Sequence, residues 1–472
     1  MNTQVVGGGN ALLITTLAMY QTVFWAEIGD TLRKPGREVA FISFDDRSSE
    51  LLRKRGFVVF DGTTVFADRR SPSADQFDSD MAKYGITDVN HWLAHERITF
   101  DLSDGDALRS RFQRYLELAF RACELMQSKG PTTMVQELGG FLSVVACFFA
   151  ARKQGVDNWF VEPSFFRGRM FFLKNSFAAQ RIPNVGSDIP VPEVAEYLKR
   201  TLEQRAIVVP RKDRHQYTTA FRKIVNLANM WRLIQKVVDK HLLGKHQEFG
   251  HIGVHVSRHA RMLINSVRLR RCYTPVGQLG AFVYYPLHVP ADMALTLRSP
   301  QYLDQLSVID FLARSIPHSH KLAIKEHPAM IGAVEGSRLM AMMARYDNLA
   351  LLPPGTNNYE VLQACDAVVS INSKSGAEAL LLTKPVLVLG DAFYRQSPLV
   401  HQVDALADLP GMLQGCLAQL NRPDPESVRR YFERVWSCTY PGELYDCRPQ
   451  NIATFSSSLV DATHLVKTGP NA

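Results

Sequence analysis

A chain of 472 residues is too long for one ordinary core, and two domains are the natural expectation. With 46% hydrophobic and 21% charged residues the composition is that of a soluble globular protein and excludes a disordered one. Seven cysteines (Cys123, Cys147, Cys272, Cys365, Cys416, Cys438, Cys447) form no C-x-x-C pair, which excludes a disulfide framework and suits reduced thiols in a cytoplasmic setting. The net charge of +8 is concentrated: residues 196–271 carry 17 Lys/Arg against 5 Asp/Glu, a local +12, so the rest of the chain is slightly acidic. Such a block seeks phosphate, whether on lipid, nucleic acid or a polyanionic substrate.

Residues 11–25 are apolar enough to suggest an export signal, but no Lys or Arg precedes them and no small-residue cleavage site follows. The run is also short for a membrane span. It is expected to be a buried strand (ALLITTLAM) entering an amphipathic helix (YQTVFWAEIGDTLRK). EVAFISF follows as a second strand ending at Asp45 and Asp46, LLRKRGF as a short helix and VVF as a third strand. From Asp68 to about Asp106 the polar sequence predicts loop and short helix. Residues 107–128 have apolar positions at helical spacing. TTMVQELGG reads as a strand running into a turn, FLSVVACFFAARKQG as a buried helix and NWFVEPS as another strand. Alternation of this kind predicts a parallel sheet covered on both faces.

Residues 190–271 break the rhythm, being helical and basic. After 280 the alternation resumes: AFVYYPLH, KLAIKEH, NLALLPP, AVVSINS and PVLVLG as strands, separated by helices at QYLDQLSVIDFLARSI, GSRLMAMMARY, NYEVLQAC and GAEALLLT. SVRRYFERVWSCTY predicts a tail helix packing back across the domain junction. The expected division is a Rossmann-like domain over 1–189, a basic helical insertion over 190–275, a second doubly wound domain over 276–415 and a helical tail over 416–472.

In open parallel sheets, ligands bind beyond the carboxyl ends of the strands. Lys325 and His327 fall at such an end, where Pro328 stops the strand. Ser373, Ser375 and Gly376 fall at another, where a helix begins. A Ser at a helix start caps orphan N–H groups, and those N–H groups also bind anions. Gly376 would let the backbone approach a ligand closely. A Lys, a His and a helix N-terminus converging on one spot would stabilise a developing phosphate anion. Glu378 lies one turn into that helix, where the helix dipole also favours an acid.

These motifs, in the order YYPLHVPAD, KLAIKEHP, SINSKSGAEALLL and KPVLVLGDAFY, resemble the bacterial capsule polysaccharide synthesis family, which is similar to Kdo transferases of the GT-B architecture. The resemblance covers roughly a quarter of the chain. It implies an α/β, GT-B-like fold with two doubly wound Rossmann-type domains facing a cleft and the basic helical segment inserted between them. It also implies that Lys325 and His327 contact a donor phosphate, that Ser373, Ser375 and Gly376 complete that site, and that Glu378 meets the ribose.

Inverting transfer needs a carboxylate to take the acceptor hydroxyl's proton. The candidates at first-domain strand ends are Asp45, Asp46, Glu137 and Glu162. Glu137 is preferred because Gly139 and Gly140 follow it, and Gln136-Glu137-Leu138-Gly139 partly matches the acid-acid-Gly motif of similar bacterial sialyltransferases. Asp78-Ser-Asp80 imitates a metal-binding D-x-D but lies in a polar stretch. His251, His255 and His259 are spaced for one helix face, yet Arg258 and Arg261 would repel a cation. The expectation is therefore a metal- and cofactor-independent glycosyltransferase of capsule or surface polysaccharide synthesis, moving a sugar, with CMP-Kdo as the favoured donor, to a lipid-linked or glycan acceptor. It would sit at the inner face of the cell membrane, held to anionic lipid through residues 196–271, with no nucleic-acid partner. The alternatives are another nucleotide-dependent GT-B enzyme, such as a UDP-sugar transferase or epimerase, and a non-catalytic capsule-assembly protein that binds glycan or lipid.

Overall fold

Strands flanked by helices on both faces are buried along their whole length, and the first strand obeys: every residue of β1 (Ala11–Thr16) is buried. In the computed structural model, residues 11–33, 37–66, 74–184, 191–205, 235, 237–239, 242–249, 251–419 and 422–463 are described. β1 pairs in parallel with β2 (Glu38–Ser43), which pairs with β3 (Val58–Asp61). On its other side β1 meets β4 (Thr132–Glu137), and β4 meets β5 (Asp157–Pro163), again in parallel. The crossover between β4 and β5 is the helix Leu142–Lys153, buried at every position from Leu142 to Ala151. The apolar N-terminal run is thus a core strand followed by the helix Met19–Leu32. Among the described residues no helix is long and apolar enough to cross a membrane.

Two features depart from the sequence reading in this half. The polar stretch after Asp68 contains two regular helices, Ala74–Lys83 and Val89–Phe100, the second capped by Asp88 accepting from the His91 amide (3.2 Å). In addition β5 is followed by β6 (Arg169–Lys174), which returns antiparallel beside it. Gly168, at φ +74°, makes that reversal possible.

The second sheet is wholly parallel, in the order β12-β11-β10-β7-β8-β9, with β7 (Phe282–Pro286), β8 (Lys321–Lys325), β9 (Leu349–Leu351), β10 (Ala367–Ser370), β11 (Val386–Val388) and a further short strand β12 (His401–Gln402). Its strand order reverses between β7 and β10. That reversal leaves a crevice at their carboxyl ends, the usual ligand site of an open α/β sheet. After the helix Pro425–Ser437, a two-residue strand β13 (Tyr440–Pro441) joins the edge of the first sheet beside β6. A last helix, Pro449–Thr463, packs on Met19–Leu32, with Phe455 set against Phe24 (5.1 Å between ring centres) and Trp25 (5.6 Å). The chain therefore crosses back to its first domain. Two doubly wound domains facing a common cleft make this a GT-B-like fold. Of the basic segment, helices Pro192–Gln204 and Ile252–Leu269 are described, while residues 206–234 lie outside the described set.

Candidate functional site

A cavity of about 440 Å3 lies between the domains, walled on one side by the ends of β4 and β5 and on the other by the ends of β7, β8 and β10. Lys325, His327, Ser373, Ser375 and Glu378 all line it. Residues some fifty positions apart in sequence are brought together because β7, the neighbour of β8, is also the neighbour of β10 across the switch point.

Lys325 is only 3% exposed, and its Nζ donates to the Thr356 carbonyl (2.9 Å). Burial brings the ammonium down to about 8, with Glu378 and Glu360 pulling the other way. Glu378 is buried too, and burial pushes its carboxyl up to about 7, opposed by Asn358 and by the charge of Lys325. Asn358 organises this corner: its amide donates to Glu378 and to Ser375 Oγ (3.1 Å), and its oxygen accepts from Tyr284 Oη (2.9 Å). Ser373 caps the helix Lys374–Leu381, its Oγ accepting from the Ser375 amide (3.2 Å), and the start of that helix lines the cavity through Ser373, Lys374 and Ser375. His327 Nδ1 accepts from the Ala329 amide (3.2 Å), which places the proton of the neutral ring on Nε2.

Gly376 belongs to this helix but does not reach the cavity wall. A Cβ there would lie 2.6 Å from Tyr394 Cζ, so the glycine makes room for Tyr394, whose hydroxyl donates to the Ser373 carbonyl (2.6 Å). Its contribution is to seat the turn rather than to admit a ligand.

Glu137 is not brought to the cavity. Side chains alternate along a strand, and Glu137 projects to the face covered by Met19–Leu32, while Leu138 reaches the cavity wall. There Glu137 accepts from Trp25 Nε1 (3.0 Å), Gln21 Nε2 (3.3 Å) and the Tyr445 hydroxyl of the C-terminal segment. Asp45 caps the helix Asp46–Lys54 through Ser48 (2.8 Å), and Asp46 accepts from the His246 amide (2.6 Å), so both serve local structure. Glu162 does line the cavity. It is forked by Arg298 of the other domain through two hydrogen bonds of 2.9 Å.

His288, Asp292 and Arg298 are among the cavity residues that the sequence does not single out as site residues. The first two follow β7 within YYPLHVPAD, and the strand-end rule that singled out Lys325 applies to them equally. Burial brings His288 down to about 4, so its ring is neutral. Asp292 Oδ1 accepts from the Ala294 amide (3.1 Å). The decoys fall elsewhere. Asp80 sits on the helix Ala74–Lys83 and accepts from Gln113 (2.7 Å), and His251 packs on Phe100 (4.3 Å between ring centres). Among the described residues no three His, Cys, Asp or Glu side chains are placed to hold a metal ion.

A GT-B-like chain with Lys325, His327 and a helix N-terminus lining its interdomain cleft defines the class. Within it, the profile of the family described as capsule polysaccharide biosynthesis protein matches residues 144–408, more than half of the chain, and the chain belongs to that family. Protein FixF of Sinorhizobium fredii (strain NBRC 101917 / NGR234) is 33% identical over 171 residues, which cover 36% of this chain and 40% of FixF, well under two thirds of that protein's length. Among solved structures, the β Kdo 2,7 transferase of Thermosulfurimonas dismutans KpsC is 15% identical over 72% of this chain and 88% of that one, with a TM-score of 0.36. The β Kdo 2,4 transferase of the same KpsC gives 12%, 64%, 79% and 0.34. MurG of Acinetobacter baumannii gives 10%, 96%, 99% and 0.31.

Proposed function

We propose that this protein is a glycosyltransferase that takes a sugar from a nucleotide donor and passes it to a glycan or lipid-linked acceptor. The observation that carries this reading is the donor-side wall, where Lys325, His327 and the N-terminus of Lys374–Leu381 converge on one cavity. In the reaction the bond from the sugar's anomeric carbon to the donor phosphate breaks, and charge grows on the departing phosphate. Lys325, the His327 Nε2–H and the helix N-terminus would stabilise that charge in the interdomain cleft. The acceptor oxygen bonds to the anomeric carbon from the opposite face and gives its proton to a carboxylate, inverting the centre. No metal is needed where these groups surround the phosphate. CMP-Kdo is the donor favoured by the motif resemblance.

For the base we favour Asp292 over Glu137. Glu137 lies off the cavity behind three donors, Glu162 is forked by Arg298 and Glu378 is bound to Asn358; Asp391 and Asp292 each accept from one backbone amide (Ala179, 2.8 Å; Ala294, 3.1 Å), and Asp292 is preferred because its charge acts on His288, which in turn feels His327. Purified protein incubated with CMP-Kdo and a panel of UDP-sugars, with product followed by mass spectrometry, tests donor and activity together. Asp292→Asn is expected to lower kcat by about 100-fold or more. Glu137→Gln should stay within about tenfold of the parent, since it breaks a structural hydrogen-bond set; a collapse of turnover in that variant with Asp292→Asn unharmed would restore Glu137 as the base. Absence of both binding and turnover for every nucleotide sugar would leave a non-catalytic capsule-assembly role.

The outer face of the basic segment is read as a membrane face. The helix Ile252–Leu269 contains no acidic residue and exposes Val256 (51%), Ile264 (51%) and Val267 (55%) beside the exposed Arg261 and Arg268. A surface of that kind suits anionic lipid, with apolar side chains entering the headgroup boundary. An enzyme so held would work at the cytoplasmic face, where nucleotide sugars and a lipid-linked acceptor meet.

A further inference from the structure

The opposite face of the helix Ile252–Leu269 touches the loop that carries His327. That loop, Pro328–Val334, leaves the end of β8 and must return over the sheet edge before the next helix begins at Gly336. It is gripped from two sides. From below, Glu326 Oε1 accepts from the Gly332 amide (2.9 Å), with the carboxylate almost fully buried at 1% exposure. From above, Asn265 Nδ2 donates to the Gly332 carbonyl (3.1 Å) and to the Val334 carbonyl (3.0 Å). Gly332 itself sits at φ +81° with the Met262 backbone against it, and a Cβ there would lie 2.8 Å from Met262 C. Only glycine fits this approach.

We propose that Asn265 and Glu326 are positioning residues of the donor site, clamping the loop so that His327 presents its Nε2–H to the donor phosphate. The inference rests on the donor-site reading above. Neither residue needs to touch the ligand. Glu326 borders the cavity but is 1% exposed, an expensive place for a carboxylate unless it holds something, and what it holds is the peptide N–H that fixes the loop. Asn265 comes from outside the sheet, which makes the basic helix part of the donor domain's working geometry. His327 is bound to the same loop at its start, where Nδ1 accepts from the Ala329 amide (3.2 Å); loosening the far end frees the near end and with it the ring tautomer.

The test uses the full chain with Asn265→Ala, Glu326→Leu and Glu326→Gln, the last keeping a carbonyl oxygen for the Gly332 amide. CMP and UDP binding are measured by calorimetry, KM and kcat with the active donor, and the His327 ring nitrogens by 15N NMR against a His327→Gln reference. Asn265→Ala and Glu326→Leu are expected to raise the nucleotide Kd about tenfold and to lower kcat by a similar factor, since His327 faces the charge that grows on the departing phosphate, and to shift the His327 signals toward a mixed tautomer. Glu326→Gln should recover most of the loss. Unchanged nucleotide binding and unchanged His327 signals in folded Asn265→Ala overturn the proposal. Should Glu326→Leu fail to fold, Asn265→Ala and Glu326→Gln still decide it. Failure of the parent protein to bind any nucleotide would overturn the donor-site reading instead, while the His327 spectra would still report on the clamp.

Discussion

Burial takes the Lys325 ammonium from its ordinary 10.5 down to about 8, because Glu378 and Glu360 do not fully replace the lost water. The folded state therefore binds this proton more weakly than the unfolded chain does. The charged lysine costs stability at every pH below about 8, and the cost fades as pH rises from 8 toward 10.5. A residue kept at such a cost is a candidate for function rather than for stability. Lys325→Met at pH 6 is expected to gain on the order of 1–3 kcal/mol in urea denaturation, since Glu378, pushed up to about 7, is already neutral there and is not left as a lone charge. The same variant should bind nucleotide at least about tenfold more weakly, from the loss of a charge-assisted contact. A lower urea midpoint would mean that the lysine holds the fold together. In the parent protein, nucleotide affinity should fall as pH rises past about 8, where the free site loses its charge.

At the scale of elements, the parallel strands were legible because each is an apolar run followed by a helix. β6 was not, because it returns directly from β5 without a crossover and its RMFFLK carries no alternation of its own. The helices Ala74–Lys83 and Val89–Phe100 were obscured by polar residues on their outer faces. The grouping of Lys325, His327, Ser373 and Ser375 on one cavity was legible because strand ends and helix caps leave residue-type signatures. Which first-domain carboxylate reaches the cavity was not, because the strand-end rule names a position without naming a face, and one step along β4 separates Glu137 from Leu138 at the cavity. The basic block is legible as charge alone: Arg222, Lys223, Arg232 and Lys236, expected at a lipid surface, lie outside the described residues. The described helix Ile252–Leu269 allows a direct test. Replacing Val256, Ile264 and Val267 by Ser, and separately Arg261 and Arg268 by Gln, should each reduce co-sedimentation with vesicles rich in anionic lipid, the second set losing about 2 kcal/mol for its two charges. Only the arginine set should change the salt dependence. Full binding by both sets would exclude this helix as the contact.

At the scale of the whole molecule, the two domains are held at the cavity by polar pins. Lys374 Nζ donates to the Ser164 carbonyl (3.0 Å), Asp391 accepts from the Ala179 amide (2.8 Å), and Arg298 donates to Glu162 and to the Phe177 carbonyl (2.7 Å). The Arg298–Glu162 pair is unequal: the arginine side chain is 7% exposed and the glutamate 26%. Deleting the glutamate strands a buried cation, whereas deleting the arginine leaves a carboxylate that can take up water. Glu162→Leu is therefore expected to destabilise by about 3–5 kcal/mol and Arg298→Met by only about 1–2 kcal/mol. The order, measured by chemical denaturation near pH 7, matters more than either value. Equal losses would mean that Glu162 is as dry as its partner and the cleft closed around it. Should Arg298→Met be the costlier change, the carbonyls of 177 and 178 rather than Glu162 would be what the guanidinium is there to satisfy, and the domains would be joined through that loop rather than through the ion pair.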